Sequence, residues 1–228
     1  MKSILATFAL CALSLSAAPT RSMVAGRHIS GSASPLPYDA EVEYLESEGH
    51  QCINTQVSVA GVSSLLSISC HIQFKDLNGG EHDIAGSGGV ETPTMGRNGS
   101  QYFMWAQGGT SWYPSACDTD WHDVTFTFES GSGRTFTVDG TTSTSTLPNK
   151  FYAGDGLFIF AAGVGRYTLS CRMSQLQIRI DGALVRDFIP VRFTNENDVT
   201  EGAMYDKVSG QLFRNAGTGA FTIGPDKN

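Results

Sequence analysis

The sequence predicts an all-β protein, built as an antiparallel sandwich of two sheets. Apolar and polar residues alternate in many short segments, most strictly in Val124–Phe128 and Phe136–Val138. Side chains along a strand point alternately to the two faces of a sheet, so this period of two indicates half-buried strands. Turn pairs such as Asp139-Gly140 and Asp181-Gly182 separate the segments. About a dozen short strands with frequent turns are typical of a sandwich.

Length and composition exclude several other classes of protein. The chain has 228 residues, which allows one domain of about 200 residues with short tails. Only 16% of the residues are charged and 26 are glycine, a composition that disfavours helical bundles and coiled coils. The net charge of −7 argues against a nucleic-acid partner, because binding to phosphates needs a basic face.

The N-terminal segment predicts export of the protein. Residues 1–22 contain Lys2, the apolar run Ile4–Leu15 and small residues after it, the pattern of a secretory signal peptide. The run is shorter than the ~20 residues that span a bilayer, so we expect no membrane insertion. Residues 23–37, rich in Ser, Gly, Ala and Pro, predict a flexible leader before a domain at 38–228. The expected location is the periplasm, the cell surface or the extracellular medium.

Four of the five cysteines follow the signal segment: Cys52, Cys70, Cys117 and Cys171. An even number in an exported chain predicts up to two disulfides, with three pairings open. The alternative is a set of unpaired buried thiols. A metal site is disfavoured, because the nearby His50 and His71 give no ligand spacing of the CxxC or HxxxH kind.

The most specific motifs lie in the C-terminal third: Arg186-Asp-Phe-Ile-Pro-Val191, Tyr205-Asp-Lys-Val-Ser-Gly210 and Asn215-Ala-Gly-Thr-Gly219. They resemble the closing segment of bacterial and phage-encoded laminin-G-like domains of the concanavalin A-like lectin/glucanase superfamily. Val42–Thr55 looks like the first strands of those domains, and Trp121-His122 with Val138–Gly140 is similar to a hairpin widespread in the superfamily. The resemblance implies a concanavalin A-like jelly roll. It leaves the function open, because the fold hosts lectins, adhesins and hydrolases.

A dense aromatic patch, Tyr102–Trp105 followed by Trp112-Tyr113, is the candidate ligand-binding region. A sugar stacks its C–H face on an exposed ring while amide or carboxyl groups hold its hydroxyls. Neighbouring rings on a strand lie on opposite faces, so one set must face away from the core. Trp121, which opens a strand, is expected in the core instead. The candidate ligand-binding residues are Trp105, Gln107, Trp112 and Tyr113, the last two favoured because they are predicted to lie in a Gly/Ser/Pro-rich loop.

Three carboxylates, Asp118, Asp120 and Asp123, are candidate calcium ligands. Calcium prefers oxygen ligands, and related lectins often hold it on loops at a sandwich rim. The alternative is a solvated turn. A second, weaker candidate contains Asp76, Asn78, Glu81 and Asp83. No other cofactor is expected.

The sequence assigns no catalytic residue, and we do not expect an enzyme. Glu41-Val-Glu43-Tyr-Leu-Glu46 approaches the Glu-x-Asp-x-x-Glu pattern of bacterial β-glucanases that share this fold. Its middle acid is Glu, and the run lies on the first strand of the domain, whereas the glucanase pattern lies mid-chain. Solvated charges on an edge strand explain it better. No phosphate-binding loop, dinucleotide motif or nucleophile elbow is present.

Together these features favour an exported, non-enzymatic binding module that recognises glycans or extracellular proteins at the cell surface. A structural protein of a surface layer or phage particle, with no small ligand, is the alternative. A glycan hydrolase is the third and least favoured interpretation.

Overall fold

A computed structural model describes residues 36–62, 65–88, 92–106, 109–147, 149 and 156–227. The predicted signal peptide at 1–22, and the predicted leader apart from its last two residues, lie outside the described residues. The strands are β1 (Ala40–Glu41), β2 (Leu45–Glu48), β3 (Ile53–Asn54), β4 (Leu65–Phe74), β5 (Glu81–Ser87), β6 (Thr94–Asn98), β7 (Gln101–Ala106), β8 (Gly109–Ala116), β9 (Trp121–Glu129), β10 (Gly133–Val138), β11 (Thr141–Ser145), β12 (Leu157–Ile159), β13 (Ser170–Ile180), β14 (Ala183–Thr194), β15 (Thr200–Asp206), β16 (Gln211–Phe213) and β17 (Thr222–Ile223). Within the described ranges, the single helical turn is a 3₁₀ turn at Val59–Gly61.

The strands form two antiparallel sheets. The larger has eleven strands in the order β11-β10-β9-β4-β13-β14-β15-β16, with β1 paired to β14 and β2 paired to both β13 and β17. The smaller has six strands in the order β3-β12-β5-β6-β7-β8. This arrangement confirms the predicted all-β, two-sheet jelly-roll sandwich.

Alternation along the strands builds the core between the two sheets. In β4, every second residue from Leu66 to Phe74 is buried, and the residues between them are partly exposed. Aromatic rings gather around Phe136, whose centroid lies 4.7 Å from Tyr113, 4.8 Å from Tyr102 and 4.9 Å from Phe126. Such tilted ring pairs contribute about 0.5–1.5 kcal/mol each beyond the area they bury. The period of two in the sequence therefore predicts correctly which residues face the core.

The cysteines correct the disulfide prediction. Cys52, Cys70, Cys117 and Cys171 are all free and buried. Cys70 and Cys171 lie on adjacent strands, but Cys171 pairs with Phe74, four residues from Cys70 and therefore ~13 Å away along the strand. A disulfide needs Cα atoms within about 7 Å. Burial raises the pKa of Cys70 and Cys117 to about 12, which keeps both thiols protonated and unreactive.

The motifs that carry the family resemblance serve the fold. Asp206, at the end of β15, is fully buried and accepts hydrogen bonds from the backbone N–H groups of Asp187, Val208 and Ser209. Asn215 accepts from the backbone N–H of Cys52. These contacts close turns and join distant strands of the sandwich.

A buried arginine ties the two sheets together. Arg134 lies on β10 of the eleven-stranded sheet and is 1% exposed. Its guanidinium donates to the carbonyl oxygens of Met104 (2.9 Å) and Gly109 (2.6 Å) and to Ser111 Oγ (3.2 Å), all on or between β7 and β8. Its Nε donates to Asn149 Oδ1 at 2.7 Å. The β7–β8 hairpin is thus held from the opposite sheet.

Replacing Arg134 with Leu should destabilise the protein by about 3 kcal/mol or more, because buried carbonyl acceptors lose their donor. Urea unfolding would measure the change. Arg179→Leu makes the same chemical change at an exposed position and should stay within about 0.5 kcal/mol of the wild type. Equal effects of the two substitutions would refute the role given to Arg134.

Candidate functional site

The outer face of the six-stranded sheet carries an open groove of about 440 Å³. This volume lies within the range of small-molecule sites. Strands β5 to β8 supply its floor, and a segment between β12 and β13 supplies one rim. The groove is lined by Glu81, Asp83, Ser87, Gly88, Thr94, Asn98, Phe103, Trp105, Thr110, Trp112, Ala162, Arg166 and Tyr167.

Strand register sets the order of side chains across the floor. Asp83 on β5 pairs with Gly96 on β6, and Gly96 pairs with Phe103 on β7. Phe103 pairs with Trp112 on β8. Because directly opposed residues share a face, this row places an acid at one end and two aromatic rings at the other. A second row places Trp105 between two threonines, Thr94 and Thr110.

The aromatic end of the groove consists of Phe103, Trp105 and Trp112. The rings of Phe103 and Trp112 lie 5.8 Å apart between centroids and are tilted by 51°. Phe103 is buried, Trp105 is partly exposed, and Trp112 is 50% exposed. A large ring left half in water beside a packed ring offers an apolar surface on which a sugar or another ring stacks.

Gly96, in the middle of the row, lets the backbones of β5 and β6 approach closely. A Cβ at Gly96 would lie 2.0 Å from the carbonyl oxygen of His82 and 2.9 Å from the Cα of Asp83. No side chain fits there without moving the backbone of β5. No side chain therefore stands between Asp83 and Phe103 in this row, and both residues line the groove, although they are only 0% and 1% exposed.

The acid end of the groove, Glu81 and Asp83, contains a carboxyl group without a partner. Asp83 is 0% exposed, and neither of its carboxyl oxygens accepts a hydrogen bond from any described residue. Burial, followed by the neighbouring charge of Glu81, raises the pKa of Asp83 well above 3.8. Burial also raises the pKa of Glu81. Buried polar atoms normally have partners, so a carboxyl left without one at the wall of a groove points to a ligand.

The rim beside Asp83 is a tight, strained turn. The Ala162 N–H donates to the Arg166 carbonyl, and the Arg166 N–H donates to the Gly163 carbonyl, both at 3.1 Å. The Arg166 guanidinium donates to the carbonyl of Gly88. Tyr167 is 56% exposed and has φ +49°, a conformation that costs a non-glycine residue about 1 kcal/mol or more. Its carbonyl accepts the backbone N–H of Asp83 at 2.8 Å, so the rim is fixed directly to the acid end.

The predicted ligand-binding residues that the structure describes lie on opposite faces of the six-stranded sheet. Trp105 and Trp112 lie in the groove, whereas Tyr113 faces the core, is 2% exposed and donates its hydroxyl to the sulfur of Met104. Tyr113 belongs to a strand and not to the predicted loop, and its neighbour Trp112 takes the outer face. Gln107 lies outside the described residues. Sequence reasoning missed Phe103, and it considered Glu81 and Asp83 only as weak calcium ligands.

Two of the three predicted calcium ligands pair with imidazoles instead. Asp118 Oδ1 lies 2.8 Å from His122 Nε2 and accepts the backbone N–H of Asp120, while Asp123 Oδ1 lies 2.8 Å from His71 Nδ1. Among the residues with described positions, no group of three or more His, Cys, Asp or Glu side chains could hold a metal ion. Asp118, Asp120 and Asp123 therefore do not come together as calcium ligands.

Two further expectations change with the structure. Trp121 lies on the outer face of the eleven-stranded sheet, stacked on His71 with centroids 4.8 Å apart, and is not in the core. Glu46, from the glucanase-like run, is 6% exposed and paired with Lys75 and Arg172. That run lies on the sheet that does not carry the groove, so it supplies no carboxylate to the candidate site.

No protein-family model matches this chain, and no curated protein matches it by sequence. Among solved structures, the fold is similar to that of a protein from Bacteroides ovatus ATCC 8483 that is provisionally described as carbohydrate-binding. The TM-score is 0.57 at 14% identity, over 82% of this chain and 61% of that one. This likeness shows a shared fold.

Binding domains of botulinum neurotoxins are more distant. A structure of type C, whose cell entry depends on two ganglioside molecules, aligns with TM-score 0.40 and 10% identity over 64% of this chain and 47% of that one. The DC binding domain in complex with rat synaptotagmin II gives 0.37 and 10%, over 72% and 63%. The chain thus spans less than two thirds of each of these three structures. In the described part of the chain, no helix has the length and apolarity to cross a membrane.

Asp83→Asn should stabilise the ligand-free protein by about 1–3 kcal/mol at about pH 8, because it removes a buried charge that has no partner. A carboxyl whose pKa is raised on folding destabilises the folded state as the pH rises above its unfolded value. The gain should therefore shrink as the pH falls toward 3.8. Urea unfolding across this range tests it, with exposed Asp120→Asn as the matched control. A variant less stable than the wild type at about pH 8 would contradict the burial argument.

His122 gives a pH dependence of opposite sign. Burial opposes its protonation, but hydrogen bonds to Asp139 and Asp118 outweigh burial, so the pKa of His122 is raised from 6.5. Its stabilising contribution is complete below the unfolded value and is lost as the pH rises through the folded one. His122→Gln should thus cost about 0.5–1 kcal/mol more at about pH 5.5 than at about pH 8.5. Exposed His50→Gln should show no such difference, and a larger cost at high pH would exclude the ion pairs.

Proposed function

We propose that this protein is an exported binding module that holds a carbohydrate in the groove on the outer face of its six-stranded sheet, without chemical turnover. The observation that carries the proposal is the row from Asp83 across Gly96 to Phe103 and Trp112. It combines an unmet hydrogen-bond acceptor, a buried aromatic ring and the half-exposed ring of Trp112 within a single groove.

A sugar ring matches both ends of this row. One face of a pyranose presents C–H groups, which pack on Trp112 and Trp105, and its edge presents hydroxyl donors for Asp83. Thr94, Thr110 and Asn98 add further polar groups along the groove wall. An apolar ligand would satisfy the rings but would leave the buried carboxyl without a donor.

The chemistry of the groove supports binding more than hydrolysis. Glu81-His-Asp83-Ile-Ala-Gly86 matches the first two acids of the Glu-x-Asp-x-x-Glu pattern, but Gly86 stands in place of the last glutamate. A Cβ at Gly86 would meet the Cβ of Ala162 at 2.9 Å, so no acidic side chain fits. Glycoside hydrolysis needs a general acid opposite its nucleophile or base. Within the described lining of the groove, Glu81 and Asp83 are the only carboxylates, side by side on β5.

The proposed location rests on the N-terminal segment. Residues 1–22 have the charge and apolar pattern of a signal peptide, which supports a location outside the cytoplasm. The fold shared with the Bacteroides ovatus protein is compatible with a role in glycan binding. The acid and the rings of the groove are features of this chain itself.

Trp112→Ala and Trp105→Ala should each weaken binding to the best ligand of a glycan array by at least about tenfold, or ~1.4 kcal/mol, because each removes a stacking surface. Titration calorimetry would measure the affinities. Trp121→Ala is the matched control, since Trp121 lies on the other sheet, and it should leave the affinity unchanged.

The control variant Trp121→Ala also allows a fluorescence test that reports on the groove alone. The chain has three tryptophans, so Trp121→Ala leaves only those of the groove. A ligand should then change most of the remaining emission. If no glycan binds, or if the Trp112 and Trp105 variants bind as the wild type does, the proposal is refuted and a structural surface or phage-particle role becomes the better explanation.

A further inference from the structure

We infer that the acid end of the groove selects a sugar with a free, positively charged amino group, such as a 2-amino-2-deoxy sugar. This inference rests on the proposed function and names the substrate class of the same site. It follows from the number of donors that Asp83 lacks, from the charges around it and from the rings that face it.

The Asp83 carboxylate needs donors and a compensating charge together. When ionised it can only accept hydrogen bonds, and both of its oxygens are buried without a donor. A hydroxyl group supplies a single donor and no charge. A primary ammonium supplies three donors and the missing positive charge, so it meets the requirement of a buried carboxylate more fully.

The described basic side chains near Asp83 have other partners. Arg166 lines the groove, but its guanidinium donates to the carbonyl of Gly88 and forms no ion pair with Glu81 or Asp83 in the described structure. The Nδ1 of His82 lies 2.7 Å from the carbonyl of Thr168, and its Nε2 lies beside Gly79. The acid end therefore faces the groove with two carboxyl groups and no paired cation.

The form of the site favours an organic cation over a metal ion. No third carboxylate or imidazole joins Glu81 and Asp83 among the residues whose positions are described. On the other side of Gly96 lies the ring of Phe103, two strand spacings or ~9–10 Å from β5. The groove that these residues line has about 440 Å³, enough for a sugar ring, and aromatic faces attract ammonium groups. A sugar amine can contact the acid while its ring stacks toward Trp112.

A glycan array printed in two matched forms, N-acetylated and chemically de-N-acetylated, provides the test. The wild type should bind the best amino sugar at least about tenfold more tightly than its N-acetyl counterpart and than the sugar with a hydroxyl at that carbon, as measured by calorimetry at about pH 6. Asp83→Asn should abolish this preference while retaining binding of the neutral forms. Asp120→Asn, which removes an exposed carboxylate outside the groove, should retain the preference.

The outcomes separate this inference from the proposed function. Equal or tighter binding of the N-acetyl or hydroxyl form overturns the inference and leaves glycan binding intact. A preference that survives in Asp83→Asn and fades with added salt also overturns it, because general attraction to a chain of net charge −7 then explains the result. Absence of binding to every glycan in both forms overturns the inference together with the proposed function.

Discussion

Strand alternation in the β7–β8 hairpin is the constraint on which the groove depends. Odd-numbered residues of β7 face the groove and even-numbered ones face the core, so a slip by one residue would exchange Phe103 for Tyr102. Both faces are aromatic, and hydrophobic pattern alone therefore specifies the register weakly. Arg134 also fixes the register of the hairpin, because its guanidinium donates hydrogen bonds to the carbonyls of Met104 and Gly109 from the opposite sheet. A buried cation thus fixes which rings reach solvent.

The acid end of the groove destabilises the folded protein, whereas Arg134 stabilises it. A buried carboxyl without a partner destabilises the folded state, and the strained turn that holds Tyr167 adds to that cost. The sandwich tolerates both because its core is large and continuous, with the rings around Phe136 at its centre. Sites that are costly in the free protein become favourable when a ligand supplies the missing donors. In the proposed function, Asp83 therefore links the stability of the free state to the affinity of the bound state.

Sequence suffices to predict the sheets, because alternation and turn residues are local signals. Strands β9 and β10 follow the predicted segments, and Trp105 and Trp112 emerge from the same reasoning. The acid end cannot be predicted in this way, because Asp83 and Phe103 are brought into one row only by the pairing of β5, β6 and β7. The Gly, Ser and Pro around Tyr113 predict a loop, whereas the hairpin extends through them as β8. An even number of cysteines predicted disulfides, but register keeps Cys70 and Cys171 apart.

The fold and the groove draw on different parts of the chain. The motifs at 186–191, 205–210 and 215–219, on which the resemblance rests, join strands and turns of the eleven-stranded sheet. The groove lies on the outer face of the other sheet, and its chemistry comes from a few side chains on β5 to β8. Those side chains can change without disturbing the core, because they alternate with the residues that fill it. In the proposed function, ligand specificity is therefore a property of this outer face, and a shared jelly roll does not determine it.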